Sequence, residues 1–116
     1  MSVNRIVPNI QTEDTVAADR FYGDMLRMDI AMDMGWVVTY KSRTHPEAQI
    51  SVLTKDMTAH ETPDISVEVR NVDNAYDRAQ KMGFEIIHPL TEEDWGVRRF
   101  LVRDPFGRVV NVLSHA

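Results

Sequence analysis

The sequence predicts an α+β fold of two tandem βαβββ modules. The order strand, helix, strand, strand, strand can be read twice along the 116 residues. Each predicted helix carries apolar residues at helical spacing behind a capping side chain. The chain then closes with two alternating strands that fold back over Asp104-Pro105-Phe106-Gly107, a type I turn sequence with Asp first, Pro second and Gly fourth.

The stretch from Arg5 to Gln11 reads as a strand, with Pro8 restricting it to an edge or to a pairing that does not need that amide. Thr12 and Asp14 offer N-cap oxygens. Ala18, Phe21, Tyr22 and Met25 follow at helical spacing, so a helix is expected from Thr15 to Leu26. Met34-Gly35 turns into a strand at Trp36 to Tyr40. His45-Pro46-Glu47 breaks that strand, and Gln49 to Leu53 alternates again. In the second half Ile65 to Arg70 has period two. Asn71 caps a helix with Val72, Ala75, Ala79 and Met82 on one stripe, and Gly83 provides the left-handed exit. Phe84 to Ile87 restarts a strand, and Arg99 to Arg103 and Arg108 to Leu113 complete the series. One domain is expected over residues 1–116, with modules at about 1–60 and 61–116. Neither half buries a helix-backed sheet well alone.

Composition narrows the function classes. Apolar content is 43%, yet no run of 18 apolar residues exists, so no membrane partner is expected. The N-terminal stretch has no long apolar segment of the secretory kind. With no cysteine, disulfides and thiolate metal sites are excluded within this chain, which fits a cytoplasmic setting. A net charge of −5 disfavours nucleic acid as a partner. Arg98, Arg99, Arg103 and Arg108 cluster on the closing hairpin, enough for a local anion contact only.

Four segments carry a resemblance. Phe21-Tyr22-Gly23-Asp24-Met25-Leu26 is similar to a helix ending FYxxxLG, with Arg27 in place of the usual glycine. Val69-Arg70-Asn71-Val72-Asp73-Asn74-Ala75 is similar to a V-x-D-V-D-x-A helix start. Asp104-Pro105-Phe106-Gly107 is similar to a DPxG turn before a last strand, and Trp95-Gly96-Val97-Arg98-Arg99-Phe100 to a WG-x-R-x-F run. In this order they resemble the vicinal oxygen chelate superfamily, the glyoxalase, bleomycin-resistance and extradiol-dioxygenase fold. The nearest likeness is to its metal-free antibiotic-resistance-like members. The resemblance implies a concave, partly open sheet with helices outside, a ligand in the cup and a homodimer. It places the metal-ligand positions of metal-dependent members on Val7, Ser51, Asp64 and Asn111.

Chemistry argues against a metal there. Val7 has no lone pair, Ser51 and Asn111 are weak neutral donors, and Asp64 alone is a good ligand, whereas such sites use three or more His or carboxylate donors. His45, His60, His88 and His115 fall in a turn, the linker, beside Pro89 and at the C-terminus, where solvated or local roles are expected. No metal and no cofactor is therefore expected.

Period-two alternation turns Asp64, Ser66 and Glu68 toward the cup, with Gln49, Ser51 and Leu53 in the first module and Val109, Asn111 and Leu113 in the last strand. Trp36 and Tyr40 are expected on one face, and together with Trp95 they offer flat surfaces to a ligand ring, with Arg98 or Glu68 as a charged clamp. The candidate ligand-binding set is thus Trp36, Tyr40, Ser51, Ser66, Trp95, Arg98 and Asn111. Glu68 and Asp64 are the candidate catalytic carboxylates, because two like charges held close without a cation suit acid–base work. The leading expectation is metal-independent sequestration of a small organic molecule, aromatic or cationic, in a cup completed across a homodimer. The inward carboxylates favour a cation. One alternative is a lyase, isomerase or epimerase-like enzyme with a carboxylate base and a noncanonical divalent cation. The other is a non-catalytic regulatory binding module.

Overall fold

A computed structural model describes residues 2–115. The elements are β1 (Val3–Gln11), α1 (Thr15–Ala18) continuing into a π-helical stretch (Asp19–Met25), β2 (Asp29–Asp33), β3 (Val37–Lys41), β4 (Gln49–Leu53), β5 (Ile65–Val69), α2 (Val72–Lys81), β6 (Ile86–Glu92), β7 (Val97–Arg103) and β8 (Val109–His115). The strands form one mixed sheet in the order β2-β3-β4-β1-β5-β8-β7-β6. In each half the first strand pairs in parallel with the fourth, β1 with β4 and β5 with β8. The two first strands meet antiparallel at the centre, with Val7 opposite Ser66. The fold is the α+β, βαβββ-paired architecture that the order of elements predicts.

Several local features differ from the pattern-based expectations. β1 is a central strand although it contains Pro8. Its antiparallel register with β5 ends at Pro8 and its parallel register with β4 begins at Asn9, so the residue without an amide hydrogen sits where the pairing passes from one partner to the other. The expected Thr15-to-Leu26 helix is α-helical for only four residues. Asp14 Oδ1 caps it by accepting from the Ala17 N–H at 3.0 Å. It then widens, with the Leu26 N–H donating to the Phe21 carbonyl five residues back. Over so few turns, apolar spacing does not separate the two helix types. Arg27 adopts the left-handed conformation, φ 57°, that a glycine would take more easily. The edge strand β2 has no sequence signature, since most of it is exposed and its pairing with β3 contains an irregularity.

Helices cover one side of the sheet. α2, capped by Asn71 Oδ1 accepting from the Asn74 N–H, buries Val72 and Ala75 against Val69 and Phe100. Ala18 and Tyr22 pack on Val38, Tyr40 and Val52. On the opposite side, Ala59 of the linker covers Ile87, Leu101 and Val109. Gly35 and Gly96, at φ 82° and 89°, turn the chain beside Trp36 and Trp95. The two indole rings lie 5.6 Å apart, edge to face. Their strands, β3 and β7, are five interstrand steps apart in the sheet order, about 24 Å if the sheet were flat. The contact therefore requires the sheet to bend into a cup.

Candidate functional site

The cup encloses about 430 Å³, in the range of small-molecule sites. Its apolar walls come from Val7, Met32, Val37, Leu53, Pro63, Val97 and Leu113, with Trp36 and Trp95 at one side. Between them lie neutral polar side chains of Asn9, Thr39, Gln49, Ser51, Ser66 and Asn111. Thr39 Oγ1 and Ser51 Oγ are 2.7 Å apart and buried. Ser66 Oγ accepts from Asn9 Nδ2 and Asn111 Nδ2, both at 3.0 Å. Asn111 Oδ1 is buried and has no donor among the described residues.

Two charged clusters flank this floor. At one end Arg5 Nη2 donates to Glu68 Oε1 at 2.9 Å, Arg5 Nη1 donates to Gln49, and His115 Nε2 lies 2.8 Å from the same Glu68 oxygen. At the other end Arg99, 2% exposed, threads between strand and linker. It donates to both Asp56 oxygens at 2.7 and 2.8 Å, to Glu93 Oε2 at 2.7 Å and to Thr58 Oγ1 at 2.7 Å. The guanidinium carbon also sits 5.2 Å from the centre of the Trp95 ring, so the same residue steadies the aromatic wall. Burial acts to raise the Asp56 carboxyl, but hydrogen bonds from Arg99 and the Ala59 and Thr58 amides, with the Arg99 charge, hold it below the usual carboxylate range.

Of the sequence-predicted residues, the cup lining brings together Trp36, Ser51, Ser66, Trp95 and Asn111. Glu68 is paired with Arg5 and His115, both of which line the cup. Tyr40 is elsewhere. β3 turns Val37 and Thr39 to the cup and Val38 and Tyr40 to the helix, where Tyr40 is 1% exposed beside Tyr22. Trp36 precedes the strand, so strand alternation does not bind it to the Tyr40 face. Arg98 points away from the cup, with Nη2 2.8 Å from Asp73 Oδ1 on α2 and Nη1 3.8 Å from Glu92. Asp64 is outside the lining, its Oδ2 accepting from the Val109 N–H at 2.9 Å. The two candidate carboxylates thus have separate partners, and neither stands free in the cup to draw a cationic ligand.

The same register bears on the positions that the resemblance implies for a metal. Val7 pairs with Ser66 and Ser66 with Asn111, so Ser66 lies in one cross-strand row with Val7 and Asn111 and lines the cup, whereas Asp64 does neither. The set Val7, Ser51, Ser66 and Asn111 has no carboxylate or imidazole and does not fit a divalent metal of the superfamily kind. Among the described residues, no three His, Cys, Asp or Glu side chains converge to hold one. Sequence reasoning missed Arg5, Asn9, Thr39, Asp56, Glu93, Arg99 and His115. The parity of Arg5 and Asn9 with Val7 was a readable signal, as was that of Arg99 with Val97. Asp56 had none, because it reaches Arg99 from an irregular linker 43 residues away in sequence.

Comparison with known proteins agrees with the fold. The glyoxalase-like domain family model matches residues 6–115. No curated protein sequence matches the chain. Among solved structures, an NAD-dependent benzaldehyde dehydrogenase from Legionella pneumophila superposes with a TM-score of 0.74 at 16% identity, covering 96% of this chain and 99% of that one. A glyoxalase/bleomycin resistance protein/dioxygenase superfamily member from Vibrio splendidus 12B01 gives 0.71 at 13% identity, covering 95% and 97%. A methylmalonyl-CoA epimerase from Streptomyces coelicolor gives 0.69 at 13% identity, covering 100% and 95%. At these identities the structural likeness speaks for the fold alone. With the family model spanning nearly its whole length, this chain belongs to the glyoxalase-like domain family of the vicinal oxygen chelate superfamily.

Proposed function

We propose that this protein binds a small organic molecule in the cup and holds it without a metal ion, a sequestration of the bleomycin-resistance type. The observation that carries the reading is the cup itself. It pairs two tryptophans and an aliphatic wall with neutral hydroxyls and amides, and carries no strong ligand at the positions where the resemblance implies a metal. Elemental analysis of the purified protein, combined with tryptophan-emission titrations against a panel of planar organic compounds, tests it. Saturable quenching unaffected by a chelator is expected. Stoichiometric zinc, nickel or iron whose removal abolishes binding overturns the reading.

The reading extends to a homodimer, with its contact on the face opposite the cup rather than across the cup as the sequence reading expects. Ile6 and Ile10 are 56% and 41% exposed on the helix side of the central strand β1, an uncovered apolar strip that a second copy would bury. Sedimentation of a monomer alone at tens of micromolar would sink that extension. A second reading, proton transfer, has one contact in its favour, the Glu68 carboxylate against His115. If turnover of any cup ligand is found, Glu68→Gln is expected to abolish it, and unchanged turnover rules Glu68 out.

A further inference from the structure

We propose that the ligand of this cup is electrically neutral and presents an amide- or hydroxyl-type group to a ladder of uncharged polar side chains on the cup floor. The proposal rests on the cup-binding reading and names the ligand class for it. The ladder runs across five adjacent strands: Thr39 on β3, Ser51 on β4, Asn9 on β1, Ser66 on β5 and Asn111 on β8. Register aligns Thr39 with Ser51, Ser51 with Asn9, and Ser66 with Asn111. The Asn9 amide bridges the two halves by donating to Ser66.

A sheet whose floor served only packing would carry aliphatic side chains here, because each polar group taken from water needs a hydrogen-bond partner. The ladder satisfies itself only in part. Ser66 Oγ already accepts two amide hydrogens, so its own hydrogen has to go to an acceptor outside that pair. Such a floor offers donors and acceptors together, as a neutral amide or alcohol does.

The charges at the ends point the same way. Arg5 is committed to Glu68. Arg99 faces two carboxylates, Asp56 and Glu93, but these are 1% and 5% exposed. Their oxygens accept from Arg99, Thr58 and the Ala59 amide, and His88 Nε2 lies 3.5 Å from Glu93, so neither is open to a ligand ammonium. A ligand carboxylate or ammonium would surrender its hydration and find its opposite charge already paired, a loss that neutral hydrogen bonds do not make good. The tryptophan wall accepts a ring in either case, so the polar substituent decides.

The test uses four probes with one ring: naphthalene, 2-naphthamide, 2-naphthoate and 2-naphthylmethylammonium. Trp36 and Trp95 are the two tryptophans of the chain, so their indole N–H signals in a proton–nitrogen correlation spectrum report directly on the cup. The amide is expected to bind at least tenfold tighter than either charged probe. In Ser66→Ala, and in the near-isosteric Thr39→Val should the first variant fold poorly, the amide should lose its advantage over naphthalene while naphthalene keeps its own Kd. A charged probe that binds as well as the amide overturns the proposal and leaves cup binding intact. An amide preference unchanged in the variant that folds overturns the ladder as its origin. Indole signals that none of the four probes moves overturn the cup reading as well.

Discussion

Arg99→Met keeps the length of the side chain and removes its five N–H donors and its charge. In the native protein those donors engage Asp56, Glu93 and Thr58, and the side chains of Arg99, Asp56 and Glu93 are only 3%, 1% and 5% exposed. The substitution therefore strands two carboxylates in a region closed to water. Breaking a buried pair in this way costs about 3–5 kcal/mol, against about 0–1 kcal/mol for an exposed one. Domains of this size hold only about 5–15 kcal/mol in total, so the variant should remain folded with a much lower urea midpoint. The pH dependence should invert. In the native chain the lowered Asp56 carboxyl contributes stability above its unfolded value, lost as pH falls through its folded value. Without Arg99, burial, the largest influence, is opposed only by the Ala59 and Thr58 amides, and the folded carboxyl is expected to titrate above its unfolded value. The variant then loses stability as pH rises through that window and regains it on acidification. Urea unfolding of both proteins at pH 5 and pH 7.5 measures this. A loss below about 1 kcal/mol at pH 7.5, or the same loss at both pH values, would refute the buried-cluster reasoning.

Three further outcomes follow from local geometry. Arg27→Gly relieves a left-handed backbone, and after the entropy of the added glycine it should stabilise by about 0.5–1 kcal/mol in thermal or urea unfolding. Asn71→Ala removes the α2 cap and should cost about 1 kcal/mol, with a larger loss if the helix N-terminus frays. The Tyr40 phenol is pushed up by burial first and then by the Asp19 charge and hydrogen bond. Of the three tyrosines, ultraviolet titration should show Tyr40 ionising late, a step absent in Tyr40→Phe. Its contribution to stability is complete below the ordinary tyrosine range and is lost as pH rises through the folded value.

Much of the fold was legible because local rules and tertiary packing agree. Asn71 caps α2 and Gly83 ends it at φ 78°, while period-two alternation in β4, β5 and β8 assigns Ser51, Ser66 and Asn111 to the cup side. Legibility failed where alternation stopped or where the partner was distant. Trp36 stands outside its strand, so pairing it with Tyr40 was unsound. Arg98 and Arg99 are adjacent and look equivalent in sequence, but they project to opposite sides of β7, one to exposed Asp73 and the other to buried Asp56.

The sequence by itself determined the order of the elements, the family they resemble and the poverty of metal donors at Val7, Ser51 and Asn111. These are properties of side-chain type and short-range periodicity. Only the tertiary structure decided that Ser66 rather than Asp64 stands in register with Val7 and Asn111, that Glu68 and Asp64 are drawn to Arg5 and the Val109 amide, and that Arg99 locks the linker beneath Trp95. Each of those outcomes depends on strand register or on a contact spanning more than 40 residues. Such pairings are selected by the burial and hydrogen-bonding balance of the whole sheet, which no local segment encodes.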